Sequence, residues 1–99
     1  MSVNEDRIVR EGHLKKKNEW YIKQERRFVL YKSGKIEYFE PKKNEKRGSF
    51  QLTYNCEVHR VTANQFDVSV PGRVYNLYSV LDHEPVEGWV QDLNSIIRL

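Results

Sequence analysis

Apolar and polar residues alternate along most of the first 80 residues of the chain. A period of two is the pattern of a β-strand with one buried face. The alternating runs are short and are bounded by turn-forming or basic segments, which predicts seven strands. We expect these strands at residues 8–16, 21–32, 36–40, 48–52, 56–61, 65–70 and 74–80. Ser33-Gly34 and Pro71-Gly72 are turn signals that predict antiparallel hairpins.

The pattern changes to helical spacing after Leu81. Apolar residues then recur at i, i+3, i+4, i+7, i+10 and i+11, namely at Val86, Trp89, Val90, Leu93, Ile96 and Ile97. This is the apolar stripe of one amphipathic helix. Asp82, Glu84 and a first-turn Pro85 suit its N-terminus, whereas Gly88 costs about 1 kcal/mol that packing must offset. The chain therefore predicts a mostly β fold, a seven-stranded antiparallel barrel or sandwich capped by a C-terminal amphipathic α-helix.

The 99 residues, 38% hydrophobic and 31% charged, suffice for one globular domain. We expect a flexible N-terminus over residues 1–7 and the domain over 8–99. No apolar run approaches the roughly 20 residues that span a bilayer, and no signal-peptide core is present. The single cysteine, Cys56, excludes an internal disulfide, fits a reducing compartment and is expected to be a small buried hydrophobe. These features predict a cytoplasmic domain.

The positive charge is concentrated in the first half of the chain. Residues 1–47 contain 14 Lys or Arg and 8 Asp or Glu, a net charge of +6, whereas residues 48–99 contain 3 and 6, a net charge of −3. If the first half forms one face, that face attracts anionic partners. Nucleic acid, an anionic membrane and a phosphorylated ligand are the candidates.

The densest basic segment is residues 12–30, GHLKKKNEWYIKQERRFVL. Six cations fall within thirteen positions, at Lys15, Lys16, Lys17, Lys23, Arg26 and Arg27. Apolar anchors lie at both ends of the segment, which predicts a hairpin whose loop presents cations around a pocket for a polyanion. Trp20 in this loop has two interpretations, which are packing across the base of the loop and insertion into a lipid interface.

Signs of catalysis are weak. His13, His59 and His83 lie in separate segments without the spacing of metal ligands. The sequence contains no nucleophile elbow, no GxGxxG and no Walker motif. We therefore expect no enzyme activity, no metal site and no cofactor.

Ordered motifs along the chain carry a resemblance to a known family. GHLKKK, RRFVL, IEYFEP, GSFQL and the helix tryptophan Trp89 resemble, in this order and spacing, the pleckstrin homology (PH) domain over about residues 8–98. EPKKNEKRG and VPGRVYNL are most similar to the PH domains of 3-phosphoinositide-dependent protein kinases. The resemblance implies binding of 3-phosphorylated inositol lipids at the open end of the barrel, within a signalling protein that carries a kinase.

The resemblance also implies which residues bind the headgroup. They are Lys16, Arg27, Tyr38, Arg47 and Arg73, supported by Lys15, Lys17, Lys23 and Lys46, with Trp20 in contact with the membrane. Lys16 shares a side with Leu14 and is expected at the barrel mouth. Arg27 can bind a phosphate through two parallel hydrogen bonds. Glu25 departs from the family, which has a basic residue two positions before the arginine. A carboxylate there repels phosphate and lowers affinity.

Three functions remain as alternatives. The first is a monomeric module that binds phosphoinositides and the anionic surface of the plasma membrane, to which it is recruited peripherally. The second, favoured by Glu25, is a PH-type scaffold with weak anionic-lipid binding or protein partners. The third is a barrel that binds single-stranded nucleic acid through Tyr21, Phe28 or Tyr38. The negative second half and the terminal helix disfavour the third, so we expect no nucleic-acid partner.

Overall fold

The computed structural model describes residues 6–81 and 83–98. It confirms the predicted class, with seven antiparallel strands in one sheet followed by one helix. The elements are β1 Ile8–Lys17, β2 Lys23–Tyr31, β3 Lys35–Phe39, β4 Lys46–Gln51, β5 Glu57–Thr62, β6 Gln65–Val70, β7 Arg73–Ser79 and α1 Glu87–Ile97. Asp82 and residues 1–5 of the segment expected to be flexible lie outside the described residues. Asp6 accepts a hydrogen bond of 2.9 Å from the Ser33 amide.

The strands follow the order β4-β3-β2-β1-β7-β6-β5 across the sheet. β1 joins the two halves, since it pairs with β2 along its length and with β7 near Lys16, which lies opposite Leu77. One core serves the whole sheet and includes Phe28 from β2, Phe66 from β6 and Trp89 from α1. The core positions expected for Trp89 and Cys56 are thus confirmed.

The helix boundary differs slightly from the prediction. α1 begins at Glu87 with Val86 as its N-cap, so Pro85 precedes the helix instead of occupying its first turn. Gly88 has a packing reason, because a Cβ there would lie 2.6 Å from Arg10 Nη2. Arg10 Nε donates a hydrogen bond to Asp92 Oδ2 at 2.6 Å, and this bond links α1 to β1.

Two hairpin connections gather at one end of the sheet. The β1–β2 loop, residues 18–22, follows Lys17, and the β6–β7 turn, residues 71–72, precedes Arg73. Because Lys16 lies opposite Leu77 in the antiparallel β1–β7 pair, the start of β7 extends alongside the β1–β2 loop. The β3–β4 connection also points this way, since Phe39 at the end of β3 pairs with Arg27 near the start of β2. This end of the sheet holds the candidate site.

Candidate functional site

The second strand places its two adjacent arginines on opposite faces of the sheet. Directly paired residues of an antiparallel sheet point to the same face. Arg26 lies opposite Leu14, which is in the core, so Arg26 belongs to the inner face. Arg27 lies opposite His13 and Phe39 and belongs to the outer face. A group of cations on one face of the sheet at this end can therefore include Arg26 or Arg27, but not both.

Three cations from three strands converge on the inner face. Lys16 Nζ lies 5.4 Å from the ring centroid of Tyr38 and 6.0 Å from that of Tyr75. Arg73 Cζ lies 4.3 Å from the Tyr75 ring centroid. Burial lowers the pKa of Lys16, and the positive charges of Arg73 and Arg26 lower it further. We call Lys16, Arg26 and Arg73 the inner cation cluster, and Tyr38 and Tyr75 its tyrosine floor.

The tyrosine floor is built into the core. The Tyr38 ring stacks on Phe28 with centroids 5.2 Å apart, and the Tyr75 ring stacks on Phe50 at 4.1 Å. Burial raises the pKa of Tyr75. Gly48 on β4 makes room for Tyr38, because a Cβ at this position would overlap the tyrosine hydroxyl and Cζ. Lys16 and Arg73 therefore lie on a rigid aromatic surface.

A polar pocket of about 600 Å³ opens beside the cluster. Lys16 and Arg73 line it from the inner side, and Lys17 and Asn76 contribute from the outer side. Its wall includes Asn18, Glu19 and Tyr21 of the β1–β2 loop. The pocket offers space for a compact polyanion between the β1–β2 loop and the start of β7.

Arg26 has one acidic neighbour. Its side chain is 14% exposed, and Nη1 lies 3.6 Å from Glu40 Oε2 at the end of β3. Nη1 also donates to the Glu25 carbonyl oxygen at 2.8 Å. The charge of Arg26 is thus partly compensated by a carboxylate that a ligand could replace.

The expected convergence of Lys16 and Arg27 is corrected by the structure. Arg27 donates from Nη1 to Glu11 Oε2 at 2.6 Å and from Nη2 to Asn44 Oδ1 at 2.7 Å, and it lies over the Phe39 ring. The reason is the strand period of two, since a difference of one residue changes the face.

Sequence reasoning therefore missed Arg26 as a member of the inner group. Arg26 is two positions before Phe28, which is in the core, and the shared parity was the available signal.

Glu25 likewise lies on the outer face, opposite Lys15. Its Oε2 is 2.6 Å from His13 Nδ1. The repulsion expected between Glu25 and a ligand on the inner face has no geometric basis, because the sheet separates them.

The supporting lysines are also outside the inner cation cluster. Lys15 lies opposite Tyr78 on the outer face, and the ring of Tyr78 lies 5.6 Å from Lys17 Nζ and 3.9 Å from Lys23 Nζ. Lys46 Nζ lies 2.8 Å from Glu37 Oε2.

Arg47 is an exposed residue at an irregularity of the sheet. Lys46 pairs with Phe39 and Gly48 pairs with Tyr38, so Arg47 is the extra residue of a β-bulge. This bulge lies next to the tyrosine floor through Gly48.

The β1–β2 loop carries three exposed hydrophobic side chains. Trp20 is 73% exposed, Tyr21 81% and Ile22 57%. Trp20 thus projects into solvent, so packing across the base of the loop does not describe it.

Across residues 6–81 and 83–98, no group of three or more His, Cys, Asp or Glu side chains is arranged to hold a metal ion. Nor does any helix in these ranges have the length and apolar character needed to cross a membrane.

Comparisons with known proteins agree with this architecture. The family model of the PH domain matches residues 2–99. The C-terminal PH domain of pleckstrin in complex with D-myo-Ins(1,2,3,5,6)P5 is 23% identical, with a TM-score of 0.80 over 95% of this chain and 99% of that one. The PH domain of human oxysterol-binding protein-related protein 11 is 28% identical, with a TM-score of 0.70 over 99% of this chain and 86% of that one.

A multidomain protein is also similar. The DH/PH fragment of PDZRHOGEF in complex with human RhoA is 12% identical, with a TM-score of 0.78 over 94% of this chain and 29% of that one. The comparison with curated proteins finds no match. The family match over nearly the whole chain settles the assignment: this chain belongs to the PH domain family, whose members are binding modules and not catalysts.

Proposed function

We propose that this PH domain binds the phosphorylated headgroup of an inositol lipid at the inner cation cluster and so attaches its parent protein to an anionic membrane. The observation that carries the proposal is the position of Lys16 and Arg73 over the tyrosine floor, with Arg26 on the same face of the sheet and near enough to lower the pKa of Lys16. The similarity to the C-terminal PH domain of pleckstrin, which has been solved with two inositol pentakisphosphates, supports the same ligand class.

The chemistry of the cluster suits several phosphates on one small ring. The three cations come from β1, β2 and β7, so they can surround a ligand instead of lying along one side of it. The two guanidinium groups can bind phosphate oxygens bidentately, while the ammonium group of Lys16 acts as a point charge. Burial and the repulsion from Arg73 and Arg26 lower the pKa of Lys16 in the free domain, and a bound polyanion offsets this repulsion.

We assign Arg26 the bidentate role that the resemblance gave to Arg27. Arg27 is engaged with Glu11 and Asn44 on the outer face. Arg26 lies on the inner face, where its guanidinium group donates to the Glu25 carbonyl and to Gln24 Oε1 and lies 3.6 Å from the Glu40 carboxylate. Tyr38 remains a proposed hydroxyl donor to phosphate.

Arg47 remains a proposed contact at the bulge. Lys15, Lys17 and Lys23 then attract the anionic membrane surface in general. Such lysines contribute roughly 1 kcal/mol each to the free energy of membrane binding. Lys46 is a weaker candidate because it pairs with Glu37.

The finer proposals rest on the resemblance of the sequence to kinase PH domains. They are a preference for 3-phosphorylated lipids, peripheral recruitment from the cytoplasm to the plasma membrane and a signalling kinase elsewhere in the parent protein. Trp20 is the proposed membrane contact, because its exposed indole suits the lipid interface.

Liposome co-sedimentation tests the function. Vesicles carry phosphatidylinositol with 3,4,5-, 3,4-, 4,5- or single phosphates at matched total charge, and the domain is compared with Arg26→Ala and Arg27→Ala. We expect preference for one 3-phosphorylated lipid that is lost in Arg26→Ala and kept in Arg27→Ala. Binding that follows total charge alone would reduce the domain to a weak electrostatic module or a protein-binding scaffold.

A further inference from the structure

The exposed hydrophobic tip of the β1–β2 loop is held by hydrogen bonds within the loop itself. We use the name hydrophobic tip for Trp20, Tyr21 and Ile22, all of which are exposed. A loop that presents apolar side chains to water gains little from packing, so its conformation must be held by its own hydrogen bonds. Asn18 supplies them.

Asn18 bonds to all three residues of the tip. Its side-chain oxygen Oδ1 accepts the amide N–H of Trp20 at 2.8 Å and that of Ile22 at 3.0 Å. Its backbone carbonyl accepts the Tyr21 amide at 3.0 Å, and its own amide donates to the Ile22 carbonyl at 2.9 Å. One asparagine therefore takes part in four hydrogen bonds within a five-residue loop.

This network holds a backbone conformation that the sequence does not favour. Tyr21 has a φ of 62°, in the left-handed region that side chains larger than glycine rarely adopt. A bulky residue stays in this region only where surrounding contacts determine it. The bonds on both sides of Tyr21 are those contacts, and they turn consecutive side chains outwards.

Two lysines flank the base of the loop, and one of them contacts the tip. Lys17 Nζ lies 5.8 Å from the Tyr21 ring centroid and 5.6 Å from the Tyr78 ring centroid. Lys23, at the other end of the loop, lies 3.9 Å from the Tyr78 ring. The apolar tip is thus flanked by positive charge, and the partner with matching chemistry is an anionic lipid surface.

We infer that Asn18 is a positioning residue for membrane contact, which folds the hydrophobic tip into its inserting conformation before the domain meets the lipid. The inference rests on the proposed membrane-binding function and adds to it a residue outside the inner cation cluster. Because the tip is ordered in advance, insertion does not have to order the loop, and the affinity for the membrane is higher. Asn18 also lines the pocket beside the inner cation cluster, so the affinity for a soluble headgroup is measured in parallel to separate a direct contact from positioning of the tip.

The test compares three measurements in Asn18→Ala. Amide hydrogen exchange of Trp20 and Ile22 in the free domain reports the two bonds to Oδ1 directly. Binding to phosphoinositide vesicles, with quenching of Trp20 by brominated lipid, reports insertion, since Trp89 is buried in the core. Titration with soluble inositol hexakisphosphate reports headgroup binding without the membrane. We expect faster exchange, about fivefold weaker vesicle binding with less quenching, and a loss of affinity for the soluble ligand of less than about twofold.

Two variants control the experiment. The double variant Asn18→Asp/Glu19→Gln keeps both a side-chain acceptor and the net charge of the loop, and it should restore vesicle binding. Asn55→Ala changes an exposed asparagine in the connection between β4 and β5, and it should leave all three measurements unchanged.

The outcomes separate this inference from the proposed function. Equal losses for vesicles and soluble ligand, or vesicle binding unchanged by Asn18→Ala, would overturn the positioning role. So would absence of Trp20 quenching in the unmodified domain. Failure of the unmodified domain to bind inositol hexakisphosphate would instead count against the headgroup proposal, while vesicle binding and amide exchange would still decide the role of Asn18.

Discussion

Lys16 and Lys17 are neighbours in the sequence, yet their pKa values shift in opposite directions. Burial and the charges of Arg73 and Arg26 lower the pKa of Lys16 on the inner face. A hydrogen bond with Tyr78 raises the pKa of Lys17 on the outer face. The face of the strand, and not the position in the basic run, therefore decides how the charged form of a lysine is affected. Burial and other cations disfavour it for Lys16, whereas a hydrogen bond favours it for Lys17.

The same division applies to other basic residues of the two faces. On the outer face Arg27 pairs with Glu11 at 2.6 Å and Lys46 pairs with Glu37 at 2.8 Å, so much of the positive charge is neutralised. On the inner face the ion pair of Arg26 is longer, at 3.6 Å. The outer pairs hold the sheet together, whereas the inner cluster retains charge for a ligand.

The largest expected effect separates the two adjacent arginines. Arg26→Ala should weaken binding of inositol hexakisphosphate about 100-fold, because loss of one partner of a buried charged contact costs roughly 2–5 kcal/mol. Arg27→Ala should weaken it less than about threefold, since only long-range charge is lost. Isothermal titration of both variants checks this. The reverse order would return Arg27 to the site and contradict the division of faces.

The sequence predicts the elements of the fold, but it does not predict which of the two arginines on β2 faces the core side of the sheet. The seven strands, the helix and the core role of Trp89 followed from periodicity and turn residues, because these properties are local. The inner face of β2 did not follow, since Phe28, Val29 and Leu30 are all buried and hide the alternation. Val29 is 2% exposed but lies outside the main core cluster. The parity that Arg26 shares with Phe28 was therefore ambiguous by itself, and the pairing of Arg26 with Leu14 on β1 identifies the face.

Other features of the site depend on contacts that hydrophobic periodicity does not report. The positive φ of Tyr21 occurs without a glycine and is held by the four hydrogen bonds that Asn18 makes within the β1–β2 loop. The need for Gly48 arises from Tyr38 on the neighbouring strand.

The next effect concerns the floor of the inner site. Gly48→Ala should lower the free energy of unfolding by about 2 kcal/mol, because its Cβ would overlap the buried ring of Tyr38, which has little room to move. Gly12→Ala is the matched control, since a Cβ there would meet Trp89 at an ordinary 3.6 Å. Urea denaturation measures both. Equal stability of the two variants would mean that the floor can rearrange, and the rigid-surface argument would fail.

A smaller effect, of opposite sign, concerns the carboxylate beside Arg26. Glu40→Gln should strengthen binding of inositol hexakisphosphate about fivefold, because it removes a negative charge 3.6 Å from Arg26 Nη1 that competes with phosphate. Glu45→Gln, in the same β3–β4 connection, removes the same charge from an exposed residue and should change the affinity less. Titration of both variants at one salt concentration makes the comparison. Identical gains would show that only the net charge of the connection matters.

The smallest effect is a dependence on alkaline pH. The folded-state pKa of Lys16 lies below its ordinary value of 10.5. Between these two values the unfolded chain binds more protons than the folded domain, so the free energy of unfolding rises with pH. A bound polyphosphate favours the charged lysine, so the affinity should fall a few-fold across the same window. Denaturation and titration with inositol hexakisphosphate from about pH 8 to about pH 10 measure both changes.

Lys16→Arg isolates the contribution of Lys16, because arginine keeps its charge across this range. Tyr31 and Tyr75 have raised pKa values, so the stability they contribute falls as pH rises above about 10, with the opposite sign. Both proteins contain these tyrosines, and subtracting one pH profile from the other removes them. A general loss of positive charge would weaken binding in both proteins alike. A lysine whose charged form is disfavoured by burial and by its neighbours in the free domain, and favoured by the ligand, gives rising stability and falling affinity in the same pH window.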